Sequence, residues 1–152
     1  MNTTEKKQQL AAATFQSGYN CAQSVLSSFA ADSSIERDML LRLASPFGSG
    51  IAKTQETCGA VTGGIMAIGL KYGKGVNGTE EEKARAYELS RQLIEGFTKE
   101  HGCTTCRTLM NGLDMNTPEG MAKIKELDLF RLRCLNYVKS AVKLTEEILG
   151  NN

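Results

Sequence analysis

Apolar residues recur along most of this chain at three- and four-residue intervals, the period of a helix with one buried face. The first such stretch covers about residues 4–15 and stops before Ser17-Gly18-Tyr19. A second starts at Asn20 and carries Ala22, Val25, Leu26 and Phe29 at helical spacing. Ser33 followed by Glu36 has the form of a capping box and predicts a third helix ending before Pro46, after which Pro46-Phe47-Gly48-Ser49-Gly50 reads as a flexible loop. Residues 58–72 are apolar nearly all round, which predicts a buried central helix. Its small residues Ala60, Gly63, Gly64 and Ala67 give a flat face for close backbone approach. Thr79 with Glu80, Glu81 and Glu82 predicts the start of a long helix with Ala86, Leu89, Leu93, Ile94 and Phe97 inward, ended by Gly102. A short helix is expected after Thr105, and Thr117-Pro118 opens another. The last, reaching Leu149, places Cys134, Val138, Ala141, Val142, Thr145 and Ile148 on one face. Strand signals are weak throughout. The expected fold is all-α, a bundle of about six or seven helices with a glycine-rich helix at its centre.

Composition narrows the function classes. At 152 residues the chain is expected to form a single domain over 1–152. Eighteen Lys+Arg against 17 Asp+Glu leave a net charge of +1, which argues against nucleic-acid binding by charge. The longest apolar stretch, residues 59–70, is shorter than the roughly 20 residues a bilayer requires, so no membrane span is expected. The first 30 residues do not read as a secretion signal, so a cytoplasmic, reducing location is expected. Five cysteines in such a compartment point to catalysis or metal binding rather than to disulfide staples.

The neighbours of the cysteines carry the most chemistry. Asn20, Thr57 and Thr105 precede Cys21, Cys58 and Cys106, and Asn and Thr are good N-caps, so each sulfur is expected in the first turn of a helix. There the free amides and the dipole favour a thiolate and lower its pKa. Cys134 follows Arg131 and Arg133, and Arg107 follows Cys106, placing cations near both. The competing reading is that these cysteines are small apolar filler. Cys103 and Cys106 form a C-x-x-C without the βαβ context of a thioredoxin motif. His101 is either a further ligand to that pair or a cap on the last carbonyls of the long helix. Ser49, Gly50 and Lys53 only superficially suggest a phosphate loop, since no strand precedes them.

Cys58-Gly59-Ala60-Val61-Thr62-Gly63 resembles the C-G-A-x-x-G signature of the redox-active protein family written C_GCAxxG_C_C. Gly18-Tyr19-Asn20-Cys21-Ala22-Gln23, Phe47-Gly48-Ser49-Gly50, Cys106-Arg107-Thr108-Leu109 and Cys134 fit the rest of the pattern, so the resemblance runs from about Phe15 to Leu149. It implies a small helical protein, redox-active through Cys21, Cys58, Cys106 and Cys134, with no established substrate. Cys103 is additional to that pattern. Two chemistries remain open for the four cysteines: thiol–disulfide or electron transfer, or ligation of zinc or an iron–sulfur cluster. Gly59 and Gly63 leave room beside the Cys58 sulfur for a thiol, a cofactor or a substrate. A redox partner or small-molecule substrate is expected, and self-association is left open. Either chemistry requires the four sulfurs to converge on one pocket, with Cys103 outside it.

Overall fold

Three capping boxes start three of the helices in the computed structural model, which describes residues 1–150. Asn2 with Glu5 opens α1 (Thr3–Gln16), Asn20 with Gln23 opens α2 (Cys21–Ser27), and Thr79 with Glu82 opens α5 (Glu80–His101). In each, the cap side chain accepts from the amide three residues on, and that residue's side chain accepts from the cap amide, so two orphan donors are satisfied. Gly102 ends α5 in the left-handed conformation, φ 92°, with its amide donating to the Thr98 carbonyl at 2.7 Å. Thr117 caps α7 (Pro118–Glu126), with proline at the first turn as expected. The remaining helices are α3 (Arg37–Ala44), α4 (Gly59–Tyr72), α6 (Cys106–Leu109) and α8 (Leu135–Gly150).

Among the described residues there are therefore eight α-helices and no strand. The fold is all-α, and the count is slightly higher than the six or seven expected. The helix α6 is a single turn of four residues, and α2 has seven. Asn151 and Asn152, the end of the expected 1–152 domain, lie outside the described residues. No helix among those described is long and apolar enough to cross a membrane.

Two local expectations fail. The Ser33–Glu36 capping box does not form. Ser33 Oγ accepts instead from the Ile35 amide at 3.2 Å, and Glu36 is itself the N-cap of α3, without a side-chain cap bond. Pro46-Phe47-Gly48-Ser49-Gly50, read as a flexible loop, instead starts in a 3-10 turn (Ser45–Phe47) and enters a left-handed run at Ser49. Ser49, Gly50, Ile51, Ala52 and Lys53 have φ of 51°, 68°, 68°, 53° and 63°. L-residues pay about 1–2 kcal/mol each in this region. Backbone bonds hold them there: Ala52 N–H to Pro46 O at 2.7 Å, Gln55 N–H to Ser49 O at 3.0 Å and Glu56 N–H to Gly50 O at 2.8 Å.

Helix α4 packs against α2, α5 and α8, and α1 closes over α2 and α8. Side chains such as Leu26, Val61, Ile68, Leu93, Phe97 and Val142 fill the space between them. Gly63 permits the closest approach: a Cβ there would lie 2.8 Å from the Ala22 carbonyl oxygen and 3.0 Å from Val25 Cβ. At the rim, buried Lys7 of α1 pairs with Asp32 at 2.7 Å and Glu146 of α8 at 3.0 Å. A smaller apolar cluster (Cys106, Met110, Met115, Ile124, Leu129 and Cys134) sits beside the main core. Cys21 packs against both clusters, and the cavity described next lies at their junction.

Candidate functional site

Each of four cysteines is delivered to this junction by a different local device. Asn20 caps α2 and also donates from Nδ2 to the Ser45 carbonyl at 2.9 Å, which fixes Cys21 in the first turn. Cys58 is itself the N-cap of α4. Its amide donates to Thr104 O at 2.7 Å, the Cys106 amide donates to Glu56 O at 2.6 Å, and Thr57 and Thr105 face each other in an isolated antiparallel bridge. The two segments that carry Cys58 and Cys106 are thereby clamped side by side. Cys134 lies in a π-helical turn, Phe130–Cys134, immediately before α8 and not on α8 itself as its spacing suggested. Such turns are rare and recur at functional sites.

The left-handed turn completes the frame. Buried Gln55 donates from Nε2 to Leu113 O and accepts at Oε1 from the Met115 amide, both at 2.8 Å. Asn116 Nδ2 donates to Lys53 O at 2.9 Å. A Cβ on Gly50 would meet the backbone of Gln55 and Glu56 at 2.6 Å and Cys106 Cβ at 2.7 Å, so only glycine fits where the turn presses on α6.

Cys21, Cys58, Cys106 and Cys134 line one cavity of about 410 Å³, together with Ser49, Gly50 and Gly59. Cys21 is half-buried and the other three are buried. Cys134 Sγ lies 3.5 Å from Met110 Sδ. Gly59 faces the start of α2, where a Cβ would come within 3.0 Å of the Ala22 nitrogen and 3.2 Å of Cys21 Cβ. Gly63 is turned toward the α2 backbone and is not part of the cavity lining. A second cavity, about 370 Å³, lies around the Lys7 ion pairs and contains no cysteine.

Cys103 is outside the cysteine cavity and packs on the main core. The His101 ring sits 4.6 Å from Phe97 and 4.9 Å from Tyr137, and its Nε2 lies 3.0 Å from Ser140 Oγ. Burial lowers its pKa.

Electrostatics within the cavity differ from the capping argument. Burial pushes the Cys58 thiol up to about 12, against a weaker opposite pull from the Ala60 and Val61 amides. Burial likewise takes Cys106 to about 12. A hydrogen bond with Cys134, then burial, raises Cys21 well above the usual thiol range. The same bond, received from Cys21, lowers Cys134. The thiolate-prone sulfur is therefore the one without a predicted cap. The reason is geometric. Cys58, not Thr57, takes the N-cap position of α4, Thr105 caps α6 without a side-chain bond, and burial outweighs the dipole.

Among the described residues no three His, Cys, Asp or Glu side chains are grouped so as to hold a metal ion. A zinc or iron–sulfur site on the four cysteines is not preformed in this arrangement.

Sequence reasoning missed several cavity residues: Phe15, Leu109, Met110, Met115, Phe130 and Tyr137. On the sequence they are indistinguishable from core positions of their helices. No curated protein and no solved structure matches the chain at a significant level. A family model does: the family described as "Putative redox-active protein (C_GCAxxG_C_C)" matches residues 19–148, a span that contains all four cavity cysteines. The chain belongs to the C_GCAxxG_C_C family.

Proposed function

We propose that this protein is a thiol–disulfide redox protein whose exchanging pair is Cys21 and Cys134. The observation that carries the reading is that Cys21 and Cys134 line one cavity with Cys58 and Cys106, and that each of the two shifts the other's pKa, Cys21 upward and Cys134 downward. Cys134, lowered by Cys21, is the attacking thiolate, and Cys21 is the resolving thiol. Attack by Cys134 on an oxidised sulfur breaks that S–S bond and releases one thiolate, leaving a mixed disulfide on Cys134. Cys21 then displaces the second thiol, and its proton is taken up by a departing sulfur. The protein ends with a Cys21–Cys134 disulfide, oxidised by two electrons, and the partner ends as two thiols.

In this reading the glycine-rich α4 is the buried centre of the site. Gly59, lacking a Cβ, lets the start of α2 bring Cys21 directly against α4 at the cavity wall. Cys58 and Cys106 stay protonated at neutral pH, since burial holds both near 12. They shape the apolar wall and exclude water rather than attack. A four-thiolate zinc or iron–sulfur centre would need a rearrangement of these side chains, and no contact in the site favours it.

A redox titration tests this. Reduced protein is equilibrated in mixtures of reduced and oxidised dithiothreitol, alkylated, and weighed by mass spectrometry. The expected result is one two-electron couple, absent in Cys21→Ser and Cys134→Ser and retained in Cys103→Ser. A couple that survives in Cys21→Ser would overturn the assignment.

A further inference from the structure

The cavity around the four cysteines has an unusual lining for a chain in which 23% of residues are charged. Among the described residues none of its wall side chains is Lys, Arg, Asp, Glu or His. Phe15, Leu109, Met110, Met115 and Phe130 supply apolar walls, and the polar contributions come from neutral groups such as Asn20 and Tyr19. The Tyr137 hydroxyl already donates to Leu109 O at 3.3 Å. An anionic substrate group entering this space would lose its hydration without gaining a cationic partner, and burying an unpaired charge is costly. The volume, about 410 Å³, falls in the range of sites for small molecules.

From this geometry we infer that the oxidant consumed at Cys21 and Cys134 is a small, uncharged disulfide with an apolar or aromatic body, not a charged peptide disulfide. The inference rests on the dithiol reading above and adds the substrate class. The neutral disulfide enters the apolar space, Cys134 takes one sulfur, and the first neutral thiol departs. Cys21 closes the protein disulfide and releases the second. Glutathione disulfide carries two carboxylates on each half, and these meet no cation in the wall.

Three probes separate the terms. 4,4′-Dithiodipyridine is neutral, 5,5′-dithiobis(2-nitrobenzoate) is a dianion also built on two aromatic rings, and glutathione disulfide is charged and larger. Each rate with the reduced full-length protein is divided by the same probe's rate with a neutral free thiol, which removes intrinsic reactivity. Peptide mapping of each product identifies the bond formed. The normalised rate for the neutral probe should exceed those of the other two by at least about tenfold, with Cys21–Cys134 as the product. Tyr19 is 39% exposed at the cavity wall, so Tyr19→Lys adds a cation with little demand on the core. That variant should raise the dianion's rate relative to the neutral probe's. Equal normalised rates for all three probes, each giving the Cys21–Cys134 bond, would overturn the substrate class and leave the dithiol pair standing. If no probe produces that bond, the dithiol reading falls and the substrate class falls with it.

Discussion

At the scale of single residues, the five cysteines differ because their surroundings differ. Of the four cavity cysteines, Cys134 alone has its thiolate favoured, by the hydrogen bond from Cys21. Alkylation followed against pH by mass spectrometry should therefore show Cys134 reaching half its maximal rate below the ordinary thiol range, while Cys58 and Cys106 remain slow until strongly alkaline pH. Cys21→Ala removes the donor and should move the Cys134 midpoint upward. The same burial links to stability. A thiol whose folded pKa is about 12, against 9.0 for an ordinary thiol, favours the folded state fully below pH 9. That advantage is lost as pH rises from 9 towards 12, because the unfolded chain ionises first. The denaturant midpoint should fall over that window, and fall less in Cys58→Ser/Cys106→Ser; an identical slope in the double variant would contradict the burial account. The four reactive candidates were legible in the sequence through the C-G-A-x-x-G pattern and its spaced companions. The caps offered as the reason for their reactivity form only at Asn20, and even there the Cys21 thiol is raised, by its hydrogen bond with Cys134 and by burial. Thr57 and Thr105 look like caps locally, but their segments pair across 48 positions through Cys58 N–H to Thr104 O and Cys106 N–H to Glu56 O, bonds to which a local reading has no access.

At the scale of elements, two devices are open to mutation. On α4, Gly63 touches α2 backbone whereas Gly69 is exposed, with nothing within 4 Å of where its Cβ would stand. Gly63→Ala must push two helices apart and should cost about 1–3 kcal/mol. Gly69→Ala only removes backbone freedom from the unfolded chain and should stabilise by about 0.5–1 kcal/mol. Opposite signs in urea unfolding are expected, and equal signs would contradict the packing described. The left-handed turn makes the second prediction. Lys53 holds φ 63° and uses its carbonyl, not its side chain, to bind Asn116. Lys53→Gly should relieve strain and raise stability by roughly 1 kcal/mol, read from the same unfolding curves. Helix starts with a complete capping box, Asn20 and Thr79, were legible because their partners lie within one turn. The Ser33–Glu36 box was not, since Ser33 spends its oxygen on the Ile35 amide. Nor was the left-handed run. Gly48 and Gly50 mark a bend, but Ile51, Ala52 and Lys53 carry no local signal for φ > 0 and are held there by tertiary bonds. The π-helical turn at Cys134 is hidden in the same way inside an apparently continuous last helix.

At the scale of the whole molecule, the cavity exists because a large core and a small apolar cluster meet without fusing. The larger is built by α2, α4, α5 and α8; the smaller is built around Met110, Met115 and Ile124 and is tied to the turn by Gln55. Cys21 belongs to the seam, Cys58 enters from the large core, and Cys106 and Cys134 enter from the small one. All-α architecture follows from hydrophobic period and was legible; the seam depends on long-range packing and was not. The account depends most on which sulfurs bond when the protein is oxidised. Peptide mapping under non-reducing conditions, after one equivalent of diamide is added to fully reduced protein, reads this directly. The account predicts one major cross-link joining the peptides of Cys21 and Cys134, with Cys103 recovered as a free thiol. A product dominated by a Cys103–Cys106 bond, with Cys21 and Cys134 both free, would contradict it.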